Sequence, residues 1–169
     1  MANDGTFINL EAGKQKRNEA LEVSAGAGDA GKMIKTDSTG RIDNSLLPVG
    51  IGADTQDIIS FEDLVAGDFV NIFDDGGTPS VRKADASNGR DANGFVLTGV
   101  TAPALATVYF EGTNTQLSGM TPGARQYLNT AGGITETPKT ASGELHQYLG
   151  KASSATALNV ELADCILLG

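Results

Sequence analysis

A mainly β protein, one small barrel or sandwich domain behind an extended N-terminal arm, is the fold class this 169-residue sequence predicts. Three observations lead there. Short β-like runs recur after Pro48 between clusters of Gly, Pro, Asn and Asp. Only one short stretch carries helix-start chemistry. The first 50 residues hold few large apolar side chains, and the 22 glycines and absence of Trp fit a chain rich in turns.

Residues 1–50 form the arm. Its apolar side chains are mainly Phe7, Ile8, Leu10, Leu21, Val23, Met33, Ile34, Ile42, Leu46, Leu47 and Val49, with no sustained period of 2.0 or 3.6. Such a segment cannot build its own core. A polar, Gly-rich terminal stretch is ordered only where something ties it down, so the arm is expected to lie against a partner or a neighbouring copy.

Residues 51–169 form the β domain. The expected strands are Asp57–Ser60, Phe69–Phe73, Ser80–Ala84, Phe95–Val100, Thr107–Glu111, Arg125–Asn129, Gly133–Glu136, Leu145–Leu149, Ala157–Leu162 and a closing Cys165–Leu168. Two alternate with period 2, placing Val108 with Phe110, and Leu158 with Val160 and Leu162, on inward faces. Phe69–Phe73 is apolar on both faces except at Asn71, which predicts a central strand or one face in an interface. Pro122-Gly123 suits the centre of a type II turn, and Asp74-Asp75-Gly76-Gly77 and Ser87-Asn88-Gly89 are further turn sites. Ser60 followed by Phe61-Glu62-Asp63-Leu64-Val65 predicts one helical turn capped by Ser60. Gln126-Tyr127-Leu128 and Gln147-Tyr148-Leu149 echo each other as two similar strands.

The formal charge is −9. Six basic residues face seven acidic ones in residues 1–50, against six and fourteen in residues 51–169. An acidic body repels phosphate and anionic lipid, so neither nucleic acid nor a membrane surface is an expected partner. Cys165, the only cysteine, sits in an apolar run and reads as a small buried hydrophobe, with no intrachain disulfide and folding in a reducing cytoplasm. Neither a signal peptide nor a membrane span is expected, since no run of ~18 apolar residues occurs.

Gly26-Ala27-Gly28-Asp29-Ala30-Gly31-Lys32 matches GxGxxG and most of a P-loop, but the context of such loops is missing. Met33 stands where Ser or Thr would hold Mg²⁺, Asp29 puts a carboxylate in the would-be anion nest, and Ser38-Thr39-Gly40 stops any following helix. His146, the only histidine, has no G-x-S-x-G elbow to serve and is expected on a strand face with Tyr148, opposite Leu145, Gln147 and Leu149. The Asp74-Asp75-Gly76 and Asn88–Gly94 loops lack the ligand spacing of a calcium hand. No catalytic, cofactor-binding or metal-ligating residue is therefore assigned, and no cofactor is expected.

Two stretches carry a resemblance. Residues 29–48, with Gly31-Lys32-Met33 and Thr36-Asp37-Ser38-Thr39-Gly40-Arg41-Ile42-Asp43-Asn44-Ser45-Leu46-Leu47-Pro48, resemble a segment of tailed-bacteriophage virion proteins. Leu117-Ser118-Gly119-Met120-Thr121-Pro122-Gly123, through Tyr127-Leu128 to Gly132-Gly133-Ile134-Thr135, is similar to a hairpin of phage head-decoration and tail-fibre proteins, with Met120, Arg125 and Gln126 departing from its pattern. The arm-plus-domain layout favours capsid decoration, or cement, proteins. That resemblance implies a non-enzymatic homotrimer on the capsid exterior, partnered by the major capsid protein and bridging capsomers of the expanded shell. The alternatives are a tail-fibre or baseplate component, a host-surface or glycan-binding module, and a small hydrolase.

Overall fold

The computed structural model describes residues 5–47 and 53–169. The change of pattern at Pro48 to Ile51, where the sequence puts the end of the arm, lies outside the described residues, as does Val49. The chain divides into two compact units, one reaching to Gly52 and one starting at Ala53.

The first unit is not strandless, which corrects the expectation that every strand lies beyond Pro48. Strands β1 (Thr6–Glu11) and β2 (Lys14–Glu19) pair antiparallel, from Thr6 opposite Glu19 to Glu11 opposite Lys14. Their two-residue connection needs positive φ twice and has it, at Ala12 (50°) and Gly13 (77°). Ala12 adopts there a backbone that costs an L-residue about 1 kcal/mol or more. Beyond the hairpin, Leu21 bridges Ile34, and two single-turn 3₁₀ segments follow at Ala27–Asp29 and Asn44–Leu46. Not one described residue of this unit is buried.

The second unit is mainly β, as the sequence predicts, and its twelve strands build a barrel, a five-stranded sheet and a two-stranded pair. Strands β3 (Thr55–Ser60), β4 (Phe69–Asp75), β5 (Thr78–Lys83), β6 (Gly94–Val96) and β7 (Leu105–Tyr109) close into a barrel in the order β3-β5-β4-β6-β7. Only the β3–β5 pairing is parallel. Ile58, Leu64, Val70, Val81, Val96, Ala106 and Val108 fill the interior. Strands β8 (Gly112–Asn114), β9 (Arg125–Leu128), β10 (Ile134–Thr135), β12 (Tyr148–Ala152) and β13 (Leu158–Val160) form an antiparallel sheet ordered β10-β9-β12-β13-β8, while β11 (Leu145–His146) pairs with β14 (Ile166–Leu167).

A second core joins barrel and sheet. Phe69 and Phe95 on the barrel wall pack with Leu128, Leu149, Leu158 and Val160 from the sheet. Phe95 also stacks on Tyr109, with centroids 5.5 Å apart. The two-faced character of Phe69–Phe73 is thereby satisfied within the chain: Val70 points into the barrel, Phe69 into the second core, and Phe73 outward against Phe61 at 5.3 Å. Gly150 marks the β-bulge where β12 shifts register on β9, and a Cβ added there would fall on the Asn159 carbonyl oxygen.

Three sequence expectations fail for identifiable reasons. Ser60–Val65 is no helical turn: the Ser60 hydroxyl is held by the Ala104 backbone, while the Glu62 and Asp63 carboxylates accept the Lys83 and Ala102 N–H groups. The acids that suit a cap serve distant backbone instead. Leu145–Leu149 splits between two sheets at Gln147, whose buried amide bonds both Ala92 backbone groups and the Ala163 carbonyl. The closing run is exposed: Cys165, Ile166 and Leu167 face solvent because only the two-residue β11 backs β14. The Pro122-Gly123 turn forms as expected, with the Ala124 N–H on the Thr121 carbonyl and Gly123 at φ 85°.

Candidate interaction surfaces

In the first unit polar self-capping does the work that a core does elsewhere. The Asp37 carboxylate accepts the Thr39 N–H, the Thr39 hydroxyl and the Arg41 N–H at 2.7–2.9 Å. Asp43 accepts the Ser45 N–H and hydroxyl, and the Ser45 oxygen in turn accepts the Ser24 N–H at 2.8 Å, tying the two ends of the segment together. Hydrogen bonds to the ionised form hold both carboxyls below the usual range, from the Arg41 N–H above all at Asp37 and from the Ser45 hydroxyl at Asp43. The Thr-Asp-Ser-Thr-Gly-Arg-Ile-Asp-Asn-Ser motif is therefore two capped turns in succession.

Those turns and the hairpin leave apolar side chains in the open. Ile8, Leu10, Val23, Met33, Ile34 and Ile42 are each 50–74% exposed. Ile8 and Leu10 share one face of β1, and Phe7 turns to the other, into a groove with Leu21. A two-stranded hairpin is marginal in water by itself, and these exposed groups are what a covering surface would bury.

The Gly-rich loop carries its own anion. The Asp29 carboxylate accepts the Ala25 N–H and pairs with Lys32, both at 2.6 Å, so the lysine and one backbone donor that a phosphate would use are engaged internally. The Lys32 bond, then the Ala25 N–H, lower the Asp29 carboxyl.

In the second unit the Asx-Gly loops are likewise self-bonded. Asp74 accepts the Gly77 N–H, and Asp85 accepts the Ser87 N–H and hydroxyl and the Ala131 N–H. Partial burial works against the Asp85 anion, but the Ser87 and Ala131 bonds and the Arg90 charge outweigh it and keep the carboxyl low. Among the described residues no three His, Cys, Asp or Glu side chains gather as a metal set would require. Although Cys165 is exposed, desolvation by the chain around its sulfur, then Asp91 and Asp164, push the thiol up, which disfavours the thiolate.

His146 lies on the strand face the sequence predicts, beside Tyr148 and opposite buried Leu145, Gln147 and Leu149. What sequence reading missed is its company. The Gln-Tyr-Leu echo folds into neighbouring strands with Tyr127 directly opposite Tyr148, and Tyr127 lies 5.3 Å from the His146 ring and 6.0 Å from Tyr148. Gln126 and Gln147 are buried on the reverse side. Arg125 sits over Tyr148 at 5.9 Å. The echo was the available signal, and only the strand register shows that it builds one aromatic cluster.

No family model and no curated protein matches this chain. Among solved structures, the N base of the head fibre gp8.5 of bacteriophage phi29 is similar, over 65% of this chain and 95% of that chain, at 12% identity and a TM-score of 0.43.

Proposed function

We propose that this chain is a non-enzymatic structural protein of a phage virion that coats the outside of the capsid, its first unit lying across the seams between capsomers. The observation that carries the reading is that residues 5–47 hold no fully buried residue, yet present Ile8, Leu10, Val23, Met33, Ile34 and Ile42 on a framework of capped turns. A segment so built gains its apolar burial from another surface. Residues 29–48 resemble virion proteins in the same segment, and the trimer and the major capsid protein as partner come with that resemblance. A protein that binds only the expanded shell stabilises that state by mass action, and repetition over a lattice multiplies weak attachments.

The test mixes the full chain, and its Ile8→Asp/Leu10→Asp variant, with expanded and unexpanded shells of its phage. The unaltered chain is expected to bind expanded shells in hundreds of copies and raise their melting temperature, while the variant keeps its own melt but loses most of its affinity. Equal binding by the variant, or only a few copies per particle as for a tail component, would overturn the reading.

A further inference from the structure

The outer face of the five-stranded sheet carries a group of side chains that the shell reading does not use. The inner face is fully committed to the second core through Leu128, Leu149, Leu158 and Val160. The alternate residues point outward in two rows set by the register: Thr135, Tyr127 and Tyr148, then Arg125, Lys151, Asn159 and Thr113.

Charge marks this face off from the rest of its unit. Of the six cations beyond residue 50, Lys83, Arg90 and Lys139 each pair with a carboxylate, and Arg82 is held by Asn71 and lies over the Phe73 ring at 4.2 Å. Arg125 and Lys151 belong to no ion pair among the described residues. They stand directly opposite each other on neighbouring strands, where like charges repel. In a unit with fourteen acids, two cations held together without a carboxylate form a local anion site.

The chemistry beside them selects the anion. Neither row contains an aliphatic side chain, so the face combines ring surface with polar and charged groups only. Tyr127 and Tyr148 meet edge to face, the His146 ring is tilted against Tyr127, and Arg125 lies over Tyr148. Their partly exposed rings offer stacking surface, with the Thr135 hydroxyl beside Tyr127 and Asn159 and Thr113 continuing the cation row as amide and hydroxyl partners. Stacking surface, scattered neutral polar groups and two adjacent cations together suit a sugar ring bearing an acid group.

We propose that this sheet face binds an anionic polysaccharide, its rings stacking on the Tyr127–Tyr148 pair and its acid groups held by Arg125 and Lys151. The site uses no residue of the first unit, so it stands or falls independently of capsid coating.

The experiment titrates the full chain at low salt with three probes: polygalacturonate, neutral dextran and poly-L-glutamate. Binding is followed by calorimetry and by tyrosine emission, which reports the face directly because the chain has no Trp and two of its three Tyr lie there. Polygalacturonate is expected to bind at least about tenfold more tightly than either control, to change tyrosine emission and to weaken with salt. The Arg125→Gln/Lys151→Gln pair, on exposed side chains, should weaken it about tenfold or more with the thermal melt unchanged, and Tyr148→Ala about fivefold with a small drop in melting temperature from the lost Tyr127 contact. Equal binding of poly-L-glutamate would reduce the face to a charge effect, and equal binding of dextran would remove the role of the cations. No binding, or a loss of self-association in the double variant without any sugar affinity, would assign the face to something else, including a second copy of the chain. Each of these results overturns the proposal.

Discussion

The two units of this chain reach order by opposite routes. The second encloses two apolar cores, one inside the barrel and one between barrel and sheet, with Phe69, Phe95, Leu128 and Leu149 fully buried. The first encloses nothing, and is shaped by a hairpin, two 3₁₀ turns and carboxylates that cap their own backbone. The difference shows that a defined backbone does not require a hydrophobic core when Asp, Ser, Thr and Gly are spaced to satisfy local donors. It also shows what such a backbone lacks, namely a store of buried surface to resist perturbation.

The sharpest way to break this comparison is a matched pair of truncations. Phe95→Ala removes a side chain in contact with both Phe69 and Tyr109 and is expected to cost about 3–5 kcal/mol. Phe7→Ala, at a half-buried position on the hairpin, should cost about 1 kcal/mol or less. Denaturant unfolding of both variants reads the difference, and comparable losses would mean that the first unit also owns a core.

Acid provides a milder probe. The carboxyls of Asp29, Asp37 and Asp43 are lowered in the fold by the hydrogen bonds they accept. A lowered group contributes its stabilisation fully above its ordinary value of 3.8 and loses it as the pH falls through the lower folded value. Amide exchange at Thr39, Arg41 and Ser45 should therefore accelerate, beyond its intrinsic pH trend, as the pH is taken from 5 to below about 3, while the barrel amides stay protected. Uniform loss of protection across both units would contradict the division.

The smallest effect lies in the hairpin turn. Asn tolerates positive φ better than Ala, so Ala12→Asn should stabilise the hairpin by up to about 1 kcal/mol. Nuclear Overhauser contacts between β1 and β2 in the free protein would strengthen. No change would mean that Ala12 is not strained in solution.

Most of the second unit was legible in the sequence because short β-like runs, two of them alternating, stand between turns that use Asx-Gly and Pro-Gly, all local signals. The hairpin of the first unit was not. Lys14–Glu19 is polar on both faces, so period 2 leaves no trace, and Ala12-Gly13 is a poor relative of the Asn-Gly pair that announces such turns. The Ser60 turn misled because its hydroxyl and the acids after it satisfy backbone up to 44 residues away, which no local pattern reveals. The apolar run at Cys165 misled differently: hydrophobicity says what a segment would gain by burial, not whether another element is there to cover it. The aromatic cluster depended on register, a long-range property, even though its two halves were visible as an echo.

Barrel closure has one more consequence. A strand with a vacant side is a template on which another chain can add itself, and chains crowded side by side meet that hazard continually. Pairing β3 with both β5 and β7 closes the ring of barrel strands, through a β3–β5 ladder that spans only Ile59–Ser60 against Ser80–Val81. The open borders of the adjoining sheet are β10 and β8, two and three residues long, too short to seed a ladder. The barrel and the five-stranded sheet thus offer little backbone on which a neighbour could add a strand, which leaves the short β11–β14 pair, with Ile166 and Leu167 exposed, as the open apolar edge that crowding would test.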